Sequence, residues 1–249
     1  MCLFEKANGM TSINFERNKL LCRGLGDLPD FGDGDRILLV SAGLDDLPEV
    51  AVADDESKRA SGMEGMTARR FLAARRLVRG MFSNILGLAS ENIGLTLDAN
   101  GKPYLPGNKY YFSIAHSGET VAVAVSRSRV GVDLEIERPV DVTALARRFF
   151  SSGEAAFIVD NPCPFHFFRL WTCREAAVKA DGRGLSKLLG SITVSTERVS
   201  RGEGMGVSIG ADEWTALHWP DLGQLHLALA FKKSPALISW CDFSKEVIL

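Results

Sequence analysis

Asp133 and Glu135 stand two residues apart in the alternating stretch Val-Gly-Val-Asp-Leu-Glu-Ile of residues 130–136. Side chains alternate between the faces of a β-strand, so this spacing puts both carboxylates on one face and Leu134 on the other. Acids that share a face beside apolar neighbours repel each other, and a hard cation with oxygen ligands, Mg²⁺ or Mn²⁺, relieves the repulsion. Alone, the pair is more simply read as solvated acids on a half-exposed strand. Glu175 and Lys179 change the balance, because residues four apart share a helix face. As an isolated surface pair they would contribute only about 0.3–0.5 kcal/mol. Their neighbours Phe167, Leu170, Trp171, Ala176 and Val178 are apolar, however, and predict a largely covered helix. A third carboxylate with a lysine one turn on would complete a metal site that also faces a phosphate.

Two further clusters could meet an anion. His116 and Ser117 precede Gly118 at an expected turn, where both can donate hydrogen bonds, although a turn histidine without special role fits equally. Residues 67–80 contain Arg69, Arg70, Arg75, Arg76 and Arg79 and no acid. Like charges at three- and four-residue spacings repel, so either the face is simply solvated or an anion belongs near it. His166, His218 and His226 lack ligand-like spacing and are read as structural. Gly182-x-Gly184 is a helix stop, since it neither follows a strand nor opens a helix.

The elements that would position these residues follow from hydrophobic periodicity. Residues 36–40 form a short apolar strand, and 54–59 a solvated helix or loop. A helix over 67–86, capped by Thr67, carries Phe71, Leu72, Leu77, Val78, Met81, Phe82 and Leu86 at helical spacing. Residues 101–104 make a turn, and 110–114, 120–126 and 130–136 are neighbouring strands. Helices are expected over 141–150, from Ser152 with Glu154 near its start, and over 165–180 up to the Gly182-Arg183-Gly184 turn. Strands at 191–195, 214–219 and 225–231 complete an α+β fold in which each half supplies one long helix and several strands.

With 249 residues, 46% hydrophobic and 24% charged, the chain has the composition of a soluble globular protein. A net charge of −2 argues against nucleic acid or a membrane surface as partner. No apolar run approaches the ~20 residues that span a bilayer. The start of the chain lacks the basic and apolar pattern of a secretory signal. Cys2, Cys22, Cys163, Cys173 and Cys241 are odd in number and never in CxxC spacing, as expected of reduced thiols in a cytoplasmic protein.

Taken in order, several stretches resemble the 4′-phosphopantetheinyl transferases of the Sfp type. These are Gly101-Lys102-Pro103, Phe112-Ser113-Ile114-Ala115-His116-Ser117-Gly118, Gly131-Val132-Asp133-Leu134-Glu135 and Arg148-Phe149-Phe150-Ser151. The series ends with residues 171–179 and Gly182-Arg183-Gly184-Leu185. The resemblance spans about residues 67–195.

It implies a monomer of two similar α+β halves, residues 1–128 and 129–249, with coenzyme A and the metal in the cleft between them. The implied reaction moves 4′-phosphopantetheine from coenzyme A to a serine of an apo acyl or peptidyl carrier protein. Such carriers serve fatty-acid, polyketide or nonribosomal-peptide synthesis, and adenosine 3′,5′-bisphosphate is the by-product. Asp133, Glu135 and Glu175 become the metal acids, Mg²⁺ being expected and Mn²⁺ an alternative. Glu135 is the first choice of base, with Glu154 or a metal-bound water as alternatives. Lys179 would assist the departing nucleotide. Lys102, Pro103, His116 and Ser117 would hold coenzyme A, joined by Arg70 and by Arg75 or Arg79. Two positions depart from the family pattern. Ala115 replaces a serine, for which Ser113 or Ser117 could compensate, and Arg174 replaces a lysine.

Overall fold

The computed structural model describes residues 17–20, 25–32, 34–99, 101–107, 109–184, 191–196, 204–219, 222–232, 235 and 237–243. Cys2, Cys22 and Leu185 lie outside them. In chain order, strands β1 (Arg17–Leu20) and β2 (Arg36–Gly43) precede helices α1 (Asp54–Ser61) and α2 (Gly65–Leu86). A small hairpin, β3 (Thr96–Leu97) and β4 (Pro103–Tyr104), leads to strands β5 (Tyr111–Ser117), β6 (Thr120–Ser126) and β7 (Val130–Ile136). Helices α3 (Val142–Phe149), α4 (Ser152–Asp160) and α5 (Pro164–Asp181) follow. Strands β8 (Ile192–Val194), β9 (Met205–Ile209), β10 (Asp212–Trp219), β11 (Leu225–Phe231) and β12 (Leu237–Asp242) complete a mixed α+β chain.

Two five-stranded sheets carry the fold, in the orders β1-β12-β2-β6-β5 and β7-β11-β10-β9-β8. The second is antiparallel throughout. In the first, β12 runs parallel to both β1 and β2, so residues 237–242 return to a sheet otherwise built from residues before 127.

Strand composition explains the layering. In β2, Leu38, Val40 and Ala42 face a core shared with α2, while Ile37 and Leu39 face the other sheet. A strand buried on both sides must be apolar throughout, which is why residues 36–40 read as a continuous hydrophobic run. β7 and β11 are two-sided in a different way. Val130, Val132, Leu134, Leu227, Leu229 and Phe231 fill the space between the sheets. Ala228 and Ala230 turn instead toward α5. Each paired sheet therefore has one long helix on its outer side, α2 on the first and α5 on the second.

Helix ends follow local chemistry, with one difference from expectation. α2 starts at Gly65, before Thr67, and Glu64 at its N-cap makes no side-chain cap. α4 opens at Ser152 as expected and is capped by Ser151: its hydroxyl faces the Glu154 amide, and the Glu154 carboxylate accepts from the Ser151 amide. α5 opens with Pro164 and ends at Gly182, whose φ of 86° suits a residue without Cβ.

Candidate active site

The site begins with a close approach of helix to strand. Gly131 of β7 lies under α5, and a Cβ there would collide with the Ala176 carbonyl and the Ala180 amide. Ala228 and Ala230 flank Gly131 on the same face, opposite Asp133 and Gly131 in the β7–β11 register. This small-residue floor lets α5 settle low enough for Lys179 to reach Asp133. Lys179 Nζ donates to Asp133 Oδ1 at 2.8 Å and to the Ile114 carbonyl at 3.2 Å, so one ammonium ties α5 to β7 and β5. Lys102 reaches the same place from the β3–β4 hairpin, its Nζ donating to the Lys179 carbonyl at 2.6 Å. That carbonyl belongs to the last turn of α5, where acceptors lack helical partners and cations are favoured.

Burial sets the electrostatics. Asp133 is only 6% exposed, and desolvation pushes its carboxyl above the ordinary range, against the pull of Lys179. Its second oxygen, Oδ2, is buried without a hydrogen-bond partner. Glu175, one turn before Lys179 on α5, is pushed up to about 7, first by burial and then by the charges of Asp133 and Glu135. Three carboxylates thus crowd one region with a single lysine paired among them. The chemistry of these oxygens, one of them buried without a partner, is that of hard ligands which could hold Mg²⁺ or Mn²⁺. Among the described residues, no three His, Cys, Asp or Glu side chains are grouped closely enough to hold a metal ion. Closure on a cation would require side-chain movement.

Glu135 sits at the edge of this group. Its Oε2 accepts from the Ser117 hydroxyl at 3.3 Å and from Arg138 at 3.2 Å. His116 is exposed beside them, with its imidazole lowered by desolvation and by the charges of Lys179 and Arg70. Arg70 donates Nε to the Gly118 carbonyl at 2.8 Å, which anchors α2 to the turn after β5. Between Lys102 and the end of α5 opens a cleft of about 300 Å³, lined by Pro103, Phe112, Ile114, Glu175, Val178 and Lys179 among others. It is apolar on its walls and cationic at its rim, a combination that suits a nucleotide carrying phosphates.

Several expected residues lie elsewhere. Arg75 and Arg79 are buried against Glu56 of α1, at 3.3 and 2.6 Å, and Arg79 also donates to the Ser90 and Ile93 carbonyls. Arg69 pairs with Asp45 and Glu119. For these three arginines the anion is a protein carboxylate, and residues 54–59 are the expected solvated helix except that Glu56 is buried. Arg75 is therefore not brought to the cleft. Glu154 and Arg174 are each 1% exposed and pair with each other at 3.3 Å. The Glu154 oxygens also accept from the Ser151 and Val194 amides. This is a structural group with no free oxygen for a proton, and Arg174 is its counter-ion. Ser113 Oγ is buried and accepts from the Val132 amide at 3.1 Å, and the residue lines the cleft.

Sequence spacing gave no hint of three of these arrangements. Glu56 is separated from its arginines by 19 and 23 residues. The clamp on Glu135 crosses from β5 to β7. His218 and His226, expected to be structural, form a buried chain in which His226 bonds both His218 at 2.9 Å and Glu137 at 2.8 Å. Only the hairpin of β10 and β11 makes them neighbours.

Comparison with known proteins decides the family. The model of the 4′-phosphopantetheinyl transferase superfamily matches residues 129–230. A 4′-phosphopantetheinyl transferase of Bacillus subtilis is 30% identical over 160 residues, covering 62% of this chain and 71% of that protein. The chain belongs to the 4′-phosphopantetheinyl transferase superfamily. The transferase psf-1 of Bacillus pumilus is 36% identical over 130 residues, 51% of this chain and 55% of the relative. The transferase HetI of a Nostoc species is also 36% identical over 130 residues, 48% of this chain and 54% of the relative. The chain thus spans about half the length of these last two relatives. The superfamily match includes Asp133, Glu135, Glu175 and Lys179 and stops short of Arg70, Lys102 and His116. No helix among the described residues is long and apolar enough to cross a membrane.

Proposed function

We propose that this chain transfers 4′-phosphopantetheine from coenzyme A to a serine hydroxyl of an apo acyl or peptidyl carrier protein, releasing adenosine 3′,5′-bisphosphate. One observation carries the reading: the buried Asp133 carboxylate has one oxygen on Lys179 and the other unpartnered, and it interacts with Glu175, which lines an apolar cleft with Lys179. Asp133, Glu135 and Glu175 would hold Mg²⁺, with Mn²⁺ as a substitute. When bound, the dication supplies charge neutralisation at the pyrophosphate as the phosphoryl bond breaks.

The chain's own residues do the rest. Lys179 stabilises the departing nucleotide phosphate, within reach of the acids it now neutralises. Glu135, whose side chain is 21% exposed, takes the proton of the incoming serine hydroxyl. Glu154 is set aside as base because Arg174 and two backbone amides occupy its carboxylate. Lys102 and Arg70 supply positive charge to the nucleotide phosphates, His116 donates from the rim, and Pro103 packs against the nucleotide.

In this reading the two sheets with their helices are two similar halves of one monomer, residues 1–128 and 129–249, and β12 returns to the first. The protein acts in the cytoplasm, and neither nucleic acid nor membrane is a partner. Intact-mass spectrometry of an apo carrier protein tests the reaction. A gain of about 340 Da with coenzyme A and Mg²⁺, abolished by EDTA, is expected of phosphopantetheine transfer. No gain on any of several carriers, with coenzyme A unbound, would overturn the proposal.

A further inference from the structure

We infer that Ser117 is a positioning residue that sets the orientation of Glu135, and that it does so from the opposite sheet. The inference rests on the reading of Glu135 as a metal acid. β5 and β7 are edge strands of different sheets and run side by side without a backbone ladder joining them. Serine hydroxyls bridge them instead. Ser113 Oγ accepts from the Val132 amide and Ser117 Oγ from the Ile136 amide, each at 3.1 Å. The two serines are four apart on β5, and so are their amide partners on β7, which makes this a regular seam with Ala115 between its two bonds.

The two bridges are not equivalent. A serine hydroxyl has one proton to give and lone pairs that accept. At Ser117 the lone pair is engaged by Ile136, so the proton is free for Glu135 Oε2 at 3.3 Å. Arg138 donates to the same oxygen from the other side. Oε2 is thereby held between two donors and the carboxylate plane is restrained, while Oε1 is left for a cation or a proton. Groups that hydrogen-bond a metal-binding carboxylate orient it, and their loss commonly costs about ten-fold in metal affinity. Ser113 makes the same strand-to-strand bond with no carboxylate attached, so it serves as an internal control for the seam itself.

The test compares Ser117→Ala, Ser113→Ala and Ser117→Thr by Mn²⁺ titration, thermal melting and steady-state kinetics. Both alanine variants should melt lower than the parent, since each leaves a β7 amide unpaired. Ser117→Ala alone should weaken the Mn²⁺ Kd by about ten-fold and lower kcat more than it raises the KM for coenzyme A. Ser117→Thr, which keeps the hydroxyl, should restore most of the affinity. A Ser117→Ala protein with the parent's Mn²⁺ Kd overturns the inference while leaving the metal reading intact. Equal loss of affinity in Ser113→Ala also overturns it, because the effect would then belong to the seam. A parent protein that binds no Mn²⁺ overturns the metal reading itself, and this inference with it.

Discussion

Lys179 Nζ sits 2.8 Å from Asp133 Oδ1 and 3.2 Å from the Ile114 carbonyl oxygen, joining the end of one helix to strands of two different sheets. The ammonium bonds one of the acids, and its residue lines the cleft. Replacing it with methionine keeps the aliphatic stem and removes the charge. Lys179→Met should lower kcat by about 10²–10⁴-fold, the range for loss of a positioned proton donor. Its Mn²⁺ Kd should not weaken, since a competing positive charge is gone. A change confined to the KM for coenzyme A would remove Lys179 from the leaving-group role.

Glu175 links activity to pH. Its carboxyl is raised from the ordinary 4.5 to about 7, so the folded chain binds this proton more tightly than the unfolded chain. The stabilising contribution is therefore full below about pH 4.5, declines as pH rises, and is lost above about 7. In denaturant titrations with EDTA, Glu175→Gln should lack this part of the pH slope and be the more stable protein above pH 7. It should fold normally and transfer nothing. Near-normal turnover in Glu175→Gln would sink the proposed metal site.

Gly131→Ala tests the packing beneath the site. The added methyl meets backbone atoms of Ala176 and Ala180, which cannot swing aside as a side chain can. α5 must lift from β7, and Lys179 with it. Overpacking of this kind costs about 1–3 kcal/mol, or several degrees of Tm in a chain of this size. Activity should fall further than stability alone explains, measured at a temperature where the variant is fully folded.

The buried pairs outside the cleft should behave in the opposite way. Glu154→Gln strips the counter-charge from a guanidinium that is 1% exposed, and breaking such a pair costs about 3–5 kcal/mol. Glu56→Ala leaves Arg75 and Arg79 in the same position. Both variants should melt well below the parent, while the folded fraction keeps the parent's kcat. If Glu154→Gln instead loses kcat with its Tm intact, Glu154 returns as the candidate base.

Local pattern carried much of this protein. Strict alternation placed Asp133 and Glu135 on one face of a strand, and four-residue spacing placed Glu175 and Lys179 on one face of a helix. Both are properties of the backbone repeat and need no tertiary information. Strands β6, β7 and β11 and helices α2 and α5 were legible for the same reason, being periodic, and β2 was legible as a short apolar run. Strands β9 and β12 were not, because a short strand is recognised by its neighbours, and β12 finds its neighbours some 200 residues away. The fate of the arginines on α2 was equally hidden. Their type and spacing left open a solvated face or a nearby anion, and that Glu56 meets two of them depends on how α1 packs. Likewise, sequence marked Ser117 as a hydrogen-bonding residue, and only the meeting of two sheet edges turned its proton toward Glu135. Residue chemistry and local repeat were set by the sequence itself; which charge faces which was decided by tertiary contacts, because electrostatic partners are chosen by distance in space and not along the chain.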